Sequence, residues 1–318
     1  MGDATTPQPP PLKRRGSQEA PSSSEEGVGG GASPHSTVAE AIRQATALLG
    51  AQTDTARLDA ELLMAEALDC TRSDLFLRRM RDPEPASYAA LVARRAAHEP
   101  VAYIRGYQEF FGLGFRVTPA VLIPRGDSEV LVEAGLAAQP AARRVLDLGT
   151  GSGALLLAAL SELPQAEGLG IDRSVAALSV ATANARALGL AERAQLLLGD
   201  WTQPDWALEL GQFDLILANP PYVETAADLA PNVRDHEPAE ALFAGPEGLD
   251  DYRLLIPQLP ALLASGGTAL VEIGATQAKA VSAISAAAGF TSVLHHDLGG
   301  RPRALALTIS LGNPPAPA

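Results

Sequence analysis

The sequence has almost no cysteine and no long apolar run. Cys70 is the only cysteine among the 318 residues, which excludes an internal disulfide, a cysteine-based zinc site and a CxxC redox pair. The apolar run at residues 155–160 is among the longest, and it is far shorter than the roughly 18 residues that a membrane span requires. The sequence therefore predicts a protein with no membrane span and a location in the reducing cytoplasm.

Positive charge is also scarce. The 24 Lys and Arg residues face 37 Asp and Glu residues, which gives a formal net charge of −13. An acidic surface repels phosphate backbones, so the composition argues against a nucleic-acid partner. Hydrophobic residues make up 47% of the chain, which is ample for a buried core. At about 150 residues per domain, the length predicts two domains.

The first 36 residues are poor in large apolar side chains. They contain six of the 25 prolines, and their only large apolar residues are Met1, Leu12 and Val28. Ordering the backbone costs about 1–2 kcal/mol per residue. Each buried apolar side chain returns only about 1.5–3 kcal/mol. This balance predicts a disordered tail over residues 1–36, and a second, short tail is expected at 313–318.

Residues 37–100 show the pattern of a small helical bundle. Thr37 and Glu40 form a capping-box pattern, and the apolar residues that follow recur at helical spacing. Further helices are expected at 71–80 and at 85–98, the second with a proline at its start. Five arginines decorate this bundle: Arg78, Arg79, Arg81, Arg94 and Arg95. They are interpreted as an ordinary solvated face, with a docking surface for an acidic partner as the alternative.

Residues 101–125 differ in composition from the helices before them. Their aromatic, glycine and β-branched residues predict a connector with a hairpin. Over residues 126–312, helical stretches separate short apolar runs at 144–148, 168–171, 194–198, 213–218, 268–273, 291–295 and 304–309. This alternation predicts an α/β domain with a mostly parallel sheet covered on both faces. The last two runs lack a helix-length spacer and predict an antiparallel hairpin at the edge of the sheet.

The first apolar run of this domain leads into a glycine-rich loop and then a helix. The loop is Gly149-Thr150-Gly151-Ser152-Gly153, and its glycines let a ligand approach the backbone at the carboxyl end of the strand. No lysine follows the loop, which excludes a P-loop. Asp172 ends the second strand, where a carboxylate can accept hydrogen bonds from both hydroxyls of a ribose. The combination fits a dinucleotide enzyme as well as an enzyme that uses S-adenosylmethionine (SAM).

Asp200 and Trp201 follow the third apolar run. The carboxylate can accept a hydrogen bond from an adenine amino group, and the indole offers a flat face to the ring. The alternative is a tryptophan partly buried at a strand end, without a role in ligand binding.

A second motif ends the fourth apolar run. Asn219-Pro220-Pro221-Tyr222 follows directly, and two consecutive prolines cannot continue a central strand. The chain is therefore expected to turn sharply at the carboxyl end of the sheet. There the Asn219 side-chain oxygen and the Pro220 carbonyl form two acceptors beside the flat ring of Tyr222. Two acceptors next to an aromatic face suit a planar –NH2 group.

This motif resembles that of SAM-dependent enzymes that methylate amide or exocyclic nitrogens. Further segments carry a closer resemblance: EPVAYIRG at 99–106, EFFGL at 109–113, LIPR at 122–125, EP at 237–238, GLD at 248–250 and EIG at 272–274. Over about residues 37–310 the chain resembles the peptide chain release factor N(5)-glutamine methyltransferases, the HemK/PrmC family. That family usually continues Pro-Glu/Asp-Thr-Glu after LIPR, whereas this chain has Gly126-Asp127-Ser128-Glu129. Gly126 is expected to loosen the turn.

The resemblance implies a helical N-terminal domain that recognises the release factor, joined to a Rossmann-like, seven-stranded SAM-binding domain. It implies methyl transfer from SAM, with no metal, to the glutamine of the Gly-Gly-Gln loop in class I release factors. By position, the cofactor would be bound by the glycine loop, Asp172 and Trp201. Asp200, the neighbour of Trp201, is assigned to the same cofactor site. Asn219 would lie between the cofactor and the glutamine.

The substrate side is also carried over by position. Asn219, Pro220 and Tyr222 are the implied catalytic residues. The implied substrate pocket consists of Asn219, Pro220, Pro221, Tyr222, Phe110 and Arg125.

Three other functions stay open. A ribosomal-protein glutamine methyltransferase has a similar catalytic motif, but its corresponding segment is closer to Val-Pro-Arg-Ser-Pro than to residues 122–125. A DNA adenine methyltransferase shares Asn-Pro-Pro-Tyr, but the net charge of −13 and the lack of an inserted target-recognition domain count against it. A non-catalytic SAM-binding adaptor would keep the glycine loop and would not need Asn219 and Tyr222.

Overall fold

The computed structural model describes residues 36–310. The tails predicted at 1–36 and 313–318 lie outside these residues, except for Ser36. The N-terminal part is helical, with α1 (Val38–Leu49), α2 (Ala56–Ala67), α3 (Arg72–Asp74), α4 (Tyr88–Ala96) and α5 (Val101–Arg105). A π-helical turn, Leu75–Arg79, continues α3.

The capping box predicted at the start of α1 is present. The Thr37 hydroxyl accepts a hydrogen bond from the Glu40 N–H at 3.3 Å, and the Glu40 carboxylate accepts one from the Thr37 N–H at 2.9 Å. Helix α4 begins at Tyr88 rather than at Pro85, because the Pro85 carbonyl accepts from the Tyr88 N–H in a turn before the helix. The helix expected at 71–80 is one α-helical turn followed by the π-helical turn.

One of the five arginines interpreted as a solvated face is buried. Arg95 is 7% exposed, and its Nε donates to Oδ2 of Asp59 at 2.7 Å inside the bundle. Thr55 donates a further hydrogen bond to Asp59. By contrast, 75% of the Arg78 side chain is exposed, and it lies 3.7 Å from Asp74. The interpretation is therefore wrong for Arg95, which holds α2 and α4 together.

Removing the buried arginine should destabilise the bundle far more than removing the exposed one. Arg95→Ala leaves the Asp59 carboxylate buried without its counter-charge, and we expect the free energy of unfolding to fall by about 3–5 kcal/mol. Arg78→Ala, on an exposed pair, should change it by less than about 1 kcal/mol. Urea unfolding followed by circular dichroism measures both variants. Equally small losses would show that the Asp59–Arg95 pair contributes nothing to stability.

The rest of the described chain contains a hairpin and an α/β domain. The hairpin consists of β1 (Tyr107–Phe110) and β2 (Leu113–Arg116). The longer sheet consists of β3 (Arg144–Leu148), β4 (Glu167–Asp172), β5 (Ala194–Leu198), β6 (Phe213–Ala218), β7 (Leu263–Glu272), β8 (Phe290–His296) and β9 (Pro302–Ile309). Its helices are α6 (Glu129–Ala138), α7 (Ala154–Glu162), α8 (Val175–Ala187), α9 (Pro231–Arg234), α10 (Asp250–Leu255), α11 (Leu259–Leu262) and α12 (Ala278–Ala287). Between residues 36 and 310, no helix combines the length and apolar character that crossing a membrane requires.

The seven strands form one sheet in the order β5-β4-β3-β6-β7-β9-β8. Strands β3 to β7 are parallel, and β9 runs antiparallel to both β7 and β8. The chain moves outward from β3 to β5 and then returns to place β6 on the other side of β3. Such a switch in strand order leaves a crevice at the carboxyl ends of β3 and β6. The fold class predicted from the sequence is confirmed, including its antiparallel edge.

Helices bury both faces of this sheet. Val145 and Leu146 are neighbours on β3, and they belong to different core clusters because successive side chains of a strand point to opposite faces. Helices α6 and α7 supply the first cluster, and α10, α11 and α12 supply the second. Residues 154–160 of α7 are all buried. The packing on both faces fixes the carboxyl ends of the central strands, where the candidate site lies.

Candidate active site

A cleft opens at the carboxyl ends of β3, β4 and β6, with about 940 Å³ of space free of protein atoms. Ten of the residues that the sequence predicted for the site line this cleft: Phe110, Arg125, Gly149, Thr150, Gly151, Ser152, Asp172, Trp201, Asn219 and Pro221. The predicted residues that do not line it are Gly153, Asp200, Pro220 and Tyr222. The cleft therefore brings together the glycine loop and the segment after β6, which are distant in the sequence.

The glycine loop turns back onto β4. The N–H groups of Gly149 and Thr150 both donate to the Ile171 carbonyl at 2.9 Å. Gly149 and Gly151 have φ values of 75° and 55°, which glycine adopts without strain. A Cβ atom at Gly149 would also lie 3.2 Å from the Trp201 ring. The indole thus packs over the backbone of the loop and forms a flat wall of the cleft.

Gly153 has a different place in the loop. It precedes α7 with a φ of 82°, and a Cβ atom there would lie 3.0 Å from Leu157 and 3.3 Å from Ala181. A side chain at this position would therefore crowd Leu157 of α7 and Ala181 of α8, in addition to the strain of the positive φ. A cofactor role for Gly153 stays a prediction.

Asp172 is held at the edge of the glycine loop. Its Oδ2 accepts a hydrogen bond from the Gly151 N–H at 2.8 Å, and its Oδ1 accepts one from the Ser174 N–H at 2.9 Å. A carboxylate has about four acceptor positions, so each oxygen keeps capacity for a further donor. The carboxylate is fixed in the cleft and can still accept hydrogen bonds from two hydroxyl groups.

The two residues after β5 are held in different ways. Nε1 of Trp201 donates to Oδ1 of Asp251 at 3.1 Å, which fixes the indole over Gly149. Oδ1 of Asp200 accepts from the N–H and the hydroxyl of Thr202 at 2.9 and 2.8 Å. Asp200 therefore stabilises the turn beside the cleft, and its contact with a ligand stays a prediction.

The segment after β6 presents an amide that has no protein partner. Asn219 lines the cleft, and its side chain makes no hydrogen bond within the described part of the chain. Tyr222 lies behind the lining: its hydroxyl donates to Oε1 of Glu272 at 3.3 Å. Its carbonyl accepts from Nε2 of Gln277 at 3.0 Å. The asparagine is thus free to bind a ligand, while the tyrosine is held from both ends.

Gln277 is a residue for which the sequence indicated no role. Its Oε1 accepts from the Gly274 N–H at 2.9 Å, and its Nε2 donates to the Gly248 carbonyl at 3.1 Å as well as to Tyr222. Gly248 has a φ of 65°, and a Cβ atom there would lie 2.3 Å from the Tyr222 carbonyl oxygen. The turn after the two prolines is therefore packed against backbone that only glycine can supply.

Arg125 and Phe110 complete the lining. Arg125 forms an ion pair with Glu237, whose side chain is fully buried and also accepts from the Ile123 N–H at 3.3 Å. Phe110 is 1% exposed and belongs to the core of the sheet domain. A Cβ atom at Gly126 would meet no atom within 4 Å, so packing does not require the glycine at this turn.

Two buried carboxyl groups at the ends of β3 and β7 received no role from the sequence. Asp147 accepts from the Thr150 hydroxyl at 2.7 Å, and burial raises the pKa of Asp147 to about 7. Burial likewise raises the pKa of Glu272 to about 7, against the lowering effects of Ser128 and Arg303. Within residues 36–310, no group of three or more His, Cys, Asp or Glu side chains is placed to hold a metal ion. A carboxylate inside an otherwise apolar strand, next to a glycine loop or a proline turn, is the sequence signal that could have indicated both residues.

The raised pKa of Asp147 predicts a pH-dependent stability. The folded protein binds this proton more tightly than the unfolded chain does. The stabilisation that the Asp147 proton contributes is therefore fully present below about pH 4 and is lost as the pH rises toward 7. Asp147→Asn removes the titration and keeps an oxygen for Thr150. The free energy of unfolding of the variant, minus that of the wild type, should grow between about pH 4 and 7 by up to about 1.4 kcal/mol per pH unit. Urea unfolding at several pH values measures it, and a pH-independent difference would contradict the prediction.

Two domain models of known protein families match this chain in sequence. The PrmC N-terminal domain model matches residues 40–106, and a methyltransferase domain model matches residues 140–284. Among solved structures, the ribosomal protein L11 methylase from Lactobacillus delbrueckii subsp. bulgaricus is 25% identical. It covers 61% of this chain and 84% of its own, with a TM-score of 0.43. The family assignment rests on the sequence matches.

Curated relatives match most of the chain. A release factor glutamine methyltransferase from Geobacter sulfurreducens is 44% identical over 242 residues, which are 74% of this chain and 84% of the relative. Another from Cereibacter sphaeroides is 46% identical over 272 residues, which are 83% of this chain and 96% of the relative. The fold and the cleft, with these matches, define a methyltransferase that uses SAM as the methyl donor. The chain belongs to the release factor glutamine methyltransferase family.

Proposed function

We propose that this protein transfers the methyl group of SAM to the side-chain amide nitrogen of the glutamine in the Gly-Gly-Gln loop of class I peptide chain release factors. This modification supports translation termination, and its substrate assigns the protein to the cytoplasm. The observation that carries the proposal is the unpartnered side chain of Asn219 in the same cleft as the glycine loop and Asp172. In this proposal, Asn219 faces the acceptor, and the glycine loop and Asp172 face the cofactor.

The cleft fits SAM. The carboxylate of Asp172 keeps acceptor positions for the ribose hydroxyls, and the ring of Trp201 offers a flat surface for the adenine. The backbone at Gly149 and Gly151 lets the ligand approach closely because no Cβ atoms intervene. When bound, SAM would supply an electrophilic methyl group: the S–CH3 bond would break as the N–CH3 bond forms, S-adenosylhomocysteine would leave, and the methylated nitrogen would lose one proton to solvent. Thr150, Ser152, Gly153 and Asp200 complete the proposed cofactor site.

The acceptor side must orient a weak nucleophile. The lone pair of an amide nitrogen is delocalised into its carbonyl, so attack requires a fixed geometry. Orientation of this kind lowers a barrier by up to about 7–11 kcal/mol. We assign the Asn219 side-chain oxygen and the Pro220 carbonyl as acceptors for the two N–H groups, with Tyr222 holding the amide plane. The proposed pocket is completed by Pro221, Phe110 and Arg125.

In this proposal, substrate recognition and catalysis belong to different domains. We assign recognition of the release factor to the helical residues 37–100 and catalysis to residues 126–312, with residues 101–125 as the connector. The net charge of −13 disfavours direct contact with nucleic acid, which agrees with a protein substrate rather than DNA.

Mass spectrometry of an unmodified class I release factor, incubated with this protein and SAM, tests the function. We expect one added methyl group on the glutamine of the Gly-Gly-Gln loop. A release factor with that glutamine replaced by alanine is the control and should gain none. If the protein binds SAM in calorimetry but methylates no release factor, the proposed substrate is wrong, and ribosomal protein is the next acceptor to test.

Asn219 should be required for turnover. We expect Asn219→Ala to lower kcat by about 10²–10³-fold, the usual effect of losing one preorganised polar contact in an active site. Asn232→Ala is a matched control, because Asn232 lies in α9 and does not line the cleft. Initial rates of release-factor methylation measure both variants. Near-normal turnover by Asn219→Ala would remove Asn219 from the catalytic site.

A further inference from the structure

Glu272 lies at the end of β7, beside the strand that leads into the acceptor motif. Val271 pairs with Ala218 in the register of β6 and β7, so Glu272 follows at the level of Asn219. Glu272 is 2% exposed, and its Oε1 accepts the hydrogen bond from the Tyr222 hydroxyl at 3.3 Å. The aromatic ring of the acceptor motif is thus bonded at its far end to a buried carboxyl group.

The surroundings of Glu272 hold the carboxyl group in place but leave one of its oxygens without a hydrogen bond. The Glu272 carbonyl accepts from the Tyr252 hydroxyl at 2.9 Å, which fixes the backbone. Ser128, which lines the cleft, and Arg303 stabilise the negative charge. Oε2 of Glu272 and Nε of Arg303 are nevertheless buried with no hydrogen-bond partner among the described residues. Since an apolar side chain of similar volume avoids this cost, packing does not explain the carboxyl group.

We propose that Glu272 is a positioning residue for methyl transfer, which orients the ring of Tyr222 against the acceptor amide through the tyrosine hydroxyl. This inference rests on the proposed function and deepens it. The bond from Gln277 to the Tyr222 carbonyl fixes the backbone but does not act on the hydroxyl end of the ring. The bond to Glu272 restrains the other end of the ring. Small displacements of a positioning group are costly, because a shift of about 1 Å can lower a rate about 100-fold.

The proposed role requires a hydrogen-bond acceptor at position 272. Glu272→Gln keeps an oxygen for the Tyr222 hydroxyl, whereas Glu272→Met keeps the length and loses the acceptor. Tyr222→Phe removes the same bond from the other side. Tyr252→Phe is a matched control, because it removes a buried hydroxyl that also bonds to Glu272 but at its backbone carbonyl.

The kcat and KM for release-factor methylation, measured for these variants and for the Tyr222→Phe/Glu272→Met double variant, test the proposal. Glu272→Met and Tyr222→Phe should each lower kcat about tenfold, the effect of one hydrogen bond on the barrier, with little change in KM. The double variant should be no slower than the slower single variant, because both changes remove the same bond. Glu272→Gln should recover most of the kcat lost in Glu272→Met, and Tyr252→Phe should retain the wild-type kcat.

Multiplicative losses in the double variant, or full kcat in Tyr222→Phe, would overturn the proposal and leave Glu272 with a structural role. Thermal unfolding shows whether Glu272→Met folds. If it does not, the kcat of Tyr222→Phe is compared with that of Tyr252→Phe to test the proposal, since phenylalanine fits the space of either tyrosine. The wild-type protein is measured in the same assay. If it binds SAM but methylates no release factor, the proposed function itself is wrong, and the role of Glu272 falls with it.

Discussion

The cleft depends on one hydrogen-bonded junction, the carbonyl of Ile171, which accepts from the N–H groups of both Gly149 and Thr150. These bonds tie the loop after β3 to the end of β4. The next residue, Asp172, closes the junction by accepting from the Gly151 N–H at 2.8 Å. The positive φ values of Gly149 and Gly151 make the double contact possible. The same bonds therefore set the shape of the loop and the position of the carboxylate.

The acceptor side is built by different means. In the proposed function, the glycine loop shapes the cofactor wall, whereas the acceptor wall depends on two side chains, Glu272 at the end of β7 and Gln277 just before α12. Glu272 and Gln277 hold Tyr222 by its hydroxyl and its carbonyl, at 3.3 and 3.0 Å. Asp147 and Glu272 are both buried with raised pKa values, so the site contains two carboxyl groups that cost stability. The two core clusters on the faces of the sheet offset that cost.

Hydrophobic periodicity predicted the strands at 194–198 and 213–218 with the bounds that the structure has, because each is a short apolar run with clear ends. Periodicity reports local structure only, so it could not predict that Arg95 pairs with Asp59. Nor could it show that α4 begins at Tyr88 rather than at Pro85. The same division applies to the site. Motifs at the ends of neighbouring parallel strands were expected to converge, and they line one cleft. The bonds of Tyr222 join residues 50 and 55 positions apart, for which no spacing rule exists.

The difference between the two walls has a consequence for how sequence change acts on this site. On the cofactor wall, a substitution matters mainly where it adds a Cβ atom, as at Gly149 beside Trp201. On the proposed acceptor wall, we expect a substitution to lower the rate where it removes a bond to Tyr222, even when the changed residue does not line the cleft. In the proposed mechanism, a residue outside the lining changes turnover without touching either ligand, because Glu272 and Gln277 hold Tyr222 from behind. Lining alone is for this reason an incomplete guide to which residues the reaction needs.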